Sequence, residues 1–231
     1  IKEKYLNCII TGASSGIGRC IAIELSQSVK HIYITGRNIS KLEEVHDIII
    51  KNNCECTIVP LNLTDENVIE NFATEVFKKN KFIDILILSS GSIETLSPIE
   101  SIDLDKFKNI LNINFLSNFR IIKSFHKLLI NSKNPNLAVI SSAKNDLKLE
   151  YWGIYQPIMT ALNDLVLTYA LENKNSNLKV NLFCPDAVNT KLREKIMPGE
   201  DKKNIKTPEQ VAFEVVSYIL QNEKSGKIIN I

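Results

Sequence analysis

No charge of one sign dominates this chain of 231 residues: Lys and Arg total 28 against 26 Asp and Glu, a formal net charge of +2. That balance removes the basic surplus by which a nucleic-acid-binding face is recognised, so no nucleic-acid partner is expected. No stretch approaches the ~18 consecutive apolar residues of a membrane span, and the run at 85–88 reads as a short buried strand. The five cysteines (Cys8, Cys20, Cys54, Cys56, Cys184) are odd in number and follow no framework spacing. Cys54-Glu55-Cys56 is not a zinc half-site, and His31, His46 and His126 lie in different segments, so no metal site is expected either. Reduced thiols, and a start (Ile1-Lys2-Glu3-Lys4-Tyr5) without a signal-peptide core, point to a cytoplasmic protein. That start also lacks an initiator Met, which leaves open whether residues precede Ile1.

What the chain does have is an ordinary globular share of apolar residues, 44%, and enough length for one large α/β domain. Short β-branched runs at 6–11, 31–35, 57–61, 83–88, 137–140, 180–183 and 228–231 read as seven strands. Most are apolar on both faces, as parallel strands covered by helices must be. Between them, amphipathic stretches at 17–26, 40–52, 65–79, 104–129, 155–172 and 208–221 read as helices. Thr207-Pro208-Glu209-Gln210 has the order of a capping box, and Thr64 followed by Asp65 and Glu66 starts another helix with acids at its positive end. Strand and helix in alternation imply right-handed crossovers and a doubly wound sheet. No linker divides the chain, so a single domain over 1–231 is expected. The connection 191–206 carries Lys191, Arg193, Lys195, Lys202, Lys203 and Lys206, and is either a solvated loop or a mobile flap over a pocket.

Thr11-Gly12-Ala13-Ser14-Ser15-Gly16-Ile17-Gly18 lies where the first strand hands over to the first helix. In that context Gly12 permits the tight turn and Gly16 lets a pyrophosphate approach the backbone. Gly18 lets the helix lie close to the sheet, and the helix N-terminus offers free N–H groups.

This octet is similar to the cofactor motif of the short-chain dehydrogenase/reductase family, and the resemblance runs over essentially the whole chain. It implies a Rossmann-like α/β fold, a seven-stranded parallel sheet with helices on both faces. Asn114 matches the family's helix Asn, Ser142 ends the fifth strand, and Tyr155 follows thirteen residues on, at the family's spacing. These three are the catalytic residues that the resemblance implies. A nicotinamide dinucleotide would meet Gly12, Ser14, Ser15, Gly16, Ile17, Gly18, Arg37, Asn62, Leu63, Ser90, Gly91, Tyr155, Pro185, Val188 and Thr190. In resembling proteins the helices at 104–129 and 155–172 pair across a two-fold axis, which implies a homodimer or homotetramer.

Four positions depart from the family pattern. Met159 stands where the family has Lys, Ser89-Ser90-Gly91 where it has Asn-Ala-Gly, Asn62 where it has Asp, and Asp186 where it has Gly. The missing ammonium is worth about 4 kcal/mol at ~4 Å and an effective dielectric of about 20, so Tyr155 is expected to keep a pKa near its free value of about 10. A protonated Tyr serves reduction better than oxidation. Lys144 and Lys148 are candidates to replace the missing amine. Thr35-Gly36-Arg37-Asn38, at the end of the second strand, has no acid to take ribose hydroxyls and one guanidinium suited to a 2′-phosphate, so NADP(H) is expected over NAD(H). Asn62 is expected to accept from adenine through its amide oxygen. Two functions remain open. One is NADPH-dependent reduction of a small carbonyl compound to its alcohol, in a pocket lined by Ile93, Leu96, Tyr151, Trp152, Leu192 and Met197. The other is non-catalytic dinucleotide binding by a sensor or structural partner.

Overall fold

A computed structural model describes residues 7–142, 149–221 and 224–231. Seven parallel strands form one sheet: β1 (Asn7–Thr11), β2 (His31–Gly36), β3 (Glu55–Pro60), β4 (Ile85–Leu88), β5 (Asn136–Ile140), β6 (Lys179–Cys184) and β7 (Lys227–Asn230), in the order 3-2-1-4-5-6-7. The doubly wound sheet expected from the sequence is therefore present. Its first half winds outward from β1 to β3 and its second from β4 to β7. Neighbouring crossovers thus leave β1 and β4 in opposite directions and open a crevice at their carboxyl ends.

Eight α-helices are seen among the described residues: α1 (Gly16–Leu25), α2 (Ile39–Lys51), α3 (Glu66–Asn80), α4 (Leu104–Leu111), α5 (Ser117–Ile130), α6 (Gln156–Glu172), α7 (Lys191–Ile196) and α8 (Pro208–Gln221). The period of two along each strand divides the core into two layers. Cys8 and Ile10 of β1, Ile85 and Ile87 of β4 and Phe183 of β6 face α1, α2 and α8. Ile9, Leu86, Leu88, Val180 and Leu182 face α3, α5 and α6. No described helix is long and apolar enough to cross a membrane.

Three expectations are corrected. The stretch 104–129 is not one regular helix: Asn112–Leu116 forms a π-helical turn between α4 and α5, and it carries the buried Asn114. Thr64 does not start α3. Asp65 does, its carboxylate accepting from the Asn67 and Val68 amides at 3.0 and 3.4 Å, because an acid one residue nearer the helix reaches its free N–H groups. The charged connection 191–206 is neither bare loop nor wholly solvated, since most of its charges are paired. Arg193 grips Glu200 with two bonds of 2.7 and 2.6 Å, and Lys195 reaches the Ile93 carbonyl and Glu94, both at 3.0 Å. Lys202 pairs with Glu194 and Lys206 with Glu214. Lys206, at its end, forms a parallel bridge to Val188, just before its start. The capping box at Thr207 and Gln210 forms as expected, with reciprocal bonds of 2.8 and 3.4 Å.

Candidate functional site

At the crevice the chain turns from β1 into α1 through Gly12 and Gly16, whose φ of +69° and +55° lie in the left-handed region that favours glycine. The turn is fastened on both sides: Ala13 donates to the Thr35 carbonyl of β2 at 3.0 Å. Thr11 Oγ1 accepts from the Ser89 and Ser90 amides beyond β4 at 3.1 and 3.3 Å. A Cβ on Gly18 would lie 2.5 Å from the Gly12 carbonyl oxygen, so only glycine lets α1 approach this closely. A Cβ on Gly16 would meet nothing nearer than Thr190 Cγ2 at 3.6 Å, which leaves the mouth of the turn clear. Ser15 caps α1 by backbone alone, so the first-turn N–H groups face the cleft without a side-chain acceptor.

The cleft, about 340 Å³, runs along the carboxyl ends of the strands. At the β2 and β3 end it is lined by Ser14, Arg37, Asn62, Leu63 and Thr64. At the other end are Ser142, Trp152, Tyr155, Met159, Pro185, Asp186, Val188 and Thr190. Ser15, Gly16, Ile17, Ser90 and Gly91 lie between. Every residue expected at a cofactor therefore lines this one cleft except Gly18, which acts through packing beneath the turn.

Ser142 Oγ donates to Tyr155 Oη at 3.0 Å. Tyr155 precedes α6, with Trp152 edge-on to its ring at a centroid distance of 6.1 Å. The tyrosine is 9% exposed. Burial raises its pKa above the usual tyrosine value; the Ser142 bond works against this and the nearby Cys184 thiol adds to it. The expectation of a pKa near 10 is corrected upward, because loss of solvent adds to the absence of a cation. Met159, one helical turn on, is buried and donates its backbone N–H to the Tyr155 carbonyl at 3.1 Å.

Asn114 does not reach the hydroxyl pair by a direct bond. Its side chain accepts from the Ser92 amide and donates to the Ser92 carbonyl, both at 2.8 Å, and so clamps the loop after Gly91. The π turn exposes its own carbonyl to Asn118 Nδ2 at 2.6 Å. Asn62 also differs from expectation: its Oδ1 accepts from both the amide and the hydroxyl of Thr64, at 3.3 and 3.0 Å, and is not held free for a ligand. Arg37 is exposed at the cleft and has no hydrogen-bond or ion-pair partner among the described residues. Of the expected substrate lining, Ile93, Trp152 and Leu192 face the cleft. Leu96, Tyr151 and Met197 do not, and Ile196 takes the place of Met197 because α7 turns that side inward. Lys144 and Lys148 lie outside the described residues. Sequence reasoning missed Thr11, Thr64, Ser92 and Asn118, whose roles are made by contacts between distant segments or by turn geometry that no spacing announces.

The family model described as short chain dehydrogenase matches residues 7–201. An uncharacterised oxidoreductase of Listeria monocytogenes is 25% identical over 99% of this chain and 94% of its own length. A fatty acyl-CoA reductase of Acinetobacter baylyi is 26% identical over 94% of this chain and 73% of its own. In the same fold, with a TM-score of 0.92 and 22% identity, is a short-chain dehydrogenase structure from Shigella flexneri complexed with NADP; the alignment covers 99% of this chain and 98% of that one. The family match spans most of the chain and includes the glycine turn, the Ser142–Tyr155 pair and the cleft between them: this protein belongs to the short-chain dehydrogenase family of oxidoreductases.

Proposed function

We propose that this protein is an NADPH-dependent reductase of a small carbonyl compound, acting as one domain. The observation that carries this reading is the Ser142–Tyr155 hydrogen bond of 3.0 Å, at the opposite end of one cleft from Arg37, which has no partner among the described residues. The glycine turn fits a pyrophosphate, and Arg37 fits a 2′-phosphate through its forked donors. Solved structures of this fold from Shigella flexneri and Escherichia coli hold NADP and NADPH. When bound, the nicotinamide supplies the hydride. Ser142 would then donate to the carbonyl oxygen and Tyr155 would deliver its phenolic proton there as the alcohol forms. Asn114 keeps the loop at Ser90 and Gly91 against the cofactor, and its part in the reaction is positional. Met159 puts no charge beside Tyr155, so the phenol stays protonated, the form that reduction uses. The segment 191–206, closed at its stem and set by Thr190, acts as the flap over the substrate. Loss of NADPH fluorescence against a panel of aldehydes and ketones, run beside calorimetric NADPH binding, tests the reading. Binding without turnover on any of them would favour the non-catalytic alternative, which the buried, uncharged Met159 supports.

Two results are expected from this assignment. NADPH should bind more tightly than NADH, and Arg37→Ala should remove most of that difference, because one charge-assisted contact is worth about 1.5–3 kcal/mol. Equal affinities in the unaltered protein would sink the preference. Phe119 and Ile130 of α5 and Leu171 of α6 are exposed apolar side chains, and a second copy of this chain covers them in the proposed homodimer or homotetramer. Light scattering at tens of micromolar should read at least twice the chain mass, and a monomer would overturn the assembly.

A further inference from the structure

We propose that the base subsite at the end of β3 does not select adenine, and that a dinucleotide carrying a 6-oxopurine binds as well as NADPH. This rests on the dinucleotide reading above and concerns a different end of the molecule. In a doubly wound sheet the ribose lies against the end of the second strand, here Gly36 and Arg37. The cleft continues past them to Leu61, Asn62, Leu63 and Thr64, which leaves that corner to the base.

The chemistry of the corner is set by Asn62. A backbone N–H can only donate, so the 3.3 Å bond from the Thr64 amide fixes which end of the carboxamide is oxygen. The Thr64 hydroxyl donates to the same atom at 3.0 Å. Both lone pairs of Oδ1 are thereby engaged, while the two N–H donors of Nδ2 have no partner among the described residues. The adjacent carboxylate, Asp65, is turned to the first-turn amides of α3, and Glu66 is paired with Arg120. Asn62 therefore presents donors only.

Adenine carries an amino donor at position 6 between acceptors at N1 and N7; hypoxanthine carries an acceptor oxygen at position 6 between an N1–H donor and the N7 acceptor. Asn62 can donate to a ring nitrogen of the first or to O6 of the second, one bond in either case. It offers nothing to the 6-amino group of adenine or to the N1–H of hypoxanthine, the two donors by which the purines are told apart. A carboxylate in its place, held by the same two Thr64 bonds, would accept from an amino group at position 6 and repel an oxygen there, and would reach the N1–H of hypoxanthine only if the base slid along the subsite.

The test is calorimetric titration of the unaltered protein and of Asn62→Asp with NADPH and with its hypoxanthine analogue. The unaltered protein should give dissociation constants within about threefold of one another, and Asn62→Asp should favour adenine by about tenfold, the worth of one hydrogen bond gained or lost. If the unaltered protein binds NADPH but prefers it to the analogue by more than tenfold, the base assignment fails and the cofactor reading stands. An unchanged ratio in Asn62→Asp would also overturn the assignment. Binding of neither dinucleotide would overturn the cofactor reading and this proposal with it.

Discussion

Tyr155→Phe should lower carbonyl reduction by about 10²–10⁴, the range for loss of a positioned general acid, while leaving NADPH affinity within about threefold. The substitution removes one buried oxygen and keeps the ring against Trp152, so the cleft keeps its shape. Retained turnover would show that the proton comes from elsewhere. The raised pKa of Tyr155 also fixes the pH behaviour. Reduction consumes the protonated phenol, which remains the major form up to the free tyrosine value of about 10. Its rate should therefore be flat to about pH 9, once base-induced unfolding is controlled for. Alcohol oxidation consumes tyrosinate, and should climb about tenfold per pH unit across the same range. A plateau in oxidation below pH 9 would mean that some cation compensates for Met159.

Gly18→Ala should severely damage the cofactor end. The added carbon would stand 2.5 Å from the Gly12 oxygen and 2.9 Å from its carbonyl carbon. Both are backbone atoms of a turn already fastened to β2 and to the loop beyond β4, so α1 must lift away. Overpacking of this kind costs about 1–3 kcal/mol, which for a chain of this size lowers Tm by roughly 3–10 °C. The larger effect is on binding: the lifted helix carries away the N–H groups that meet the phosphates, and NADPH affinity should fall by about 100-fold or more, several lost hydrogen bonds. Gly199→Ala is the control, since nothing lies within 4 Å of a carbon added there. Binding within threefold of the unaltered protein by Gly18→Ala would refute the cradle.

The strands were legible because most are β-branched runs apolar on both faces, and the cleft because a glycine octet between strand and helix has few other uses. Boundaries slipped where the residue type is silent: β3 begins at Glu55, an exposed residue whose backbone still pairs with His31. The π turn could not be read, because its extra residue leaves the amphipathic pattern of 104–129 almost intact while rotating Asn114 toward Ser92. Asn62 shows a second limit. Its residue type allows both donor and acceptor, and a bond to a neighbour two residues away removes one of them. Tyr155 shows a third, since desolvation depends on what the whole core places around a ring.

The pairing of β1 with β4 also governs how this chain can be made. β1 is flanked by β2 and β4, and the bond from the Ser90 amide to Thr11 Oγ1 spans 79 positions in sequence. The glycine turn therefore cannot close while its second wall is still inside the ribosome. At about 5–20 residues per second that interval is roughly 4–16 s, in which β1 presents an open edge of unpaired amides and apolar side chains. Parallel crossovers are slow to form for the same entropic reason. The segment from Asn7 to Leu88 is consequently the stretch most exposed to misassociation during synthesis.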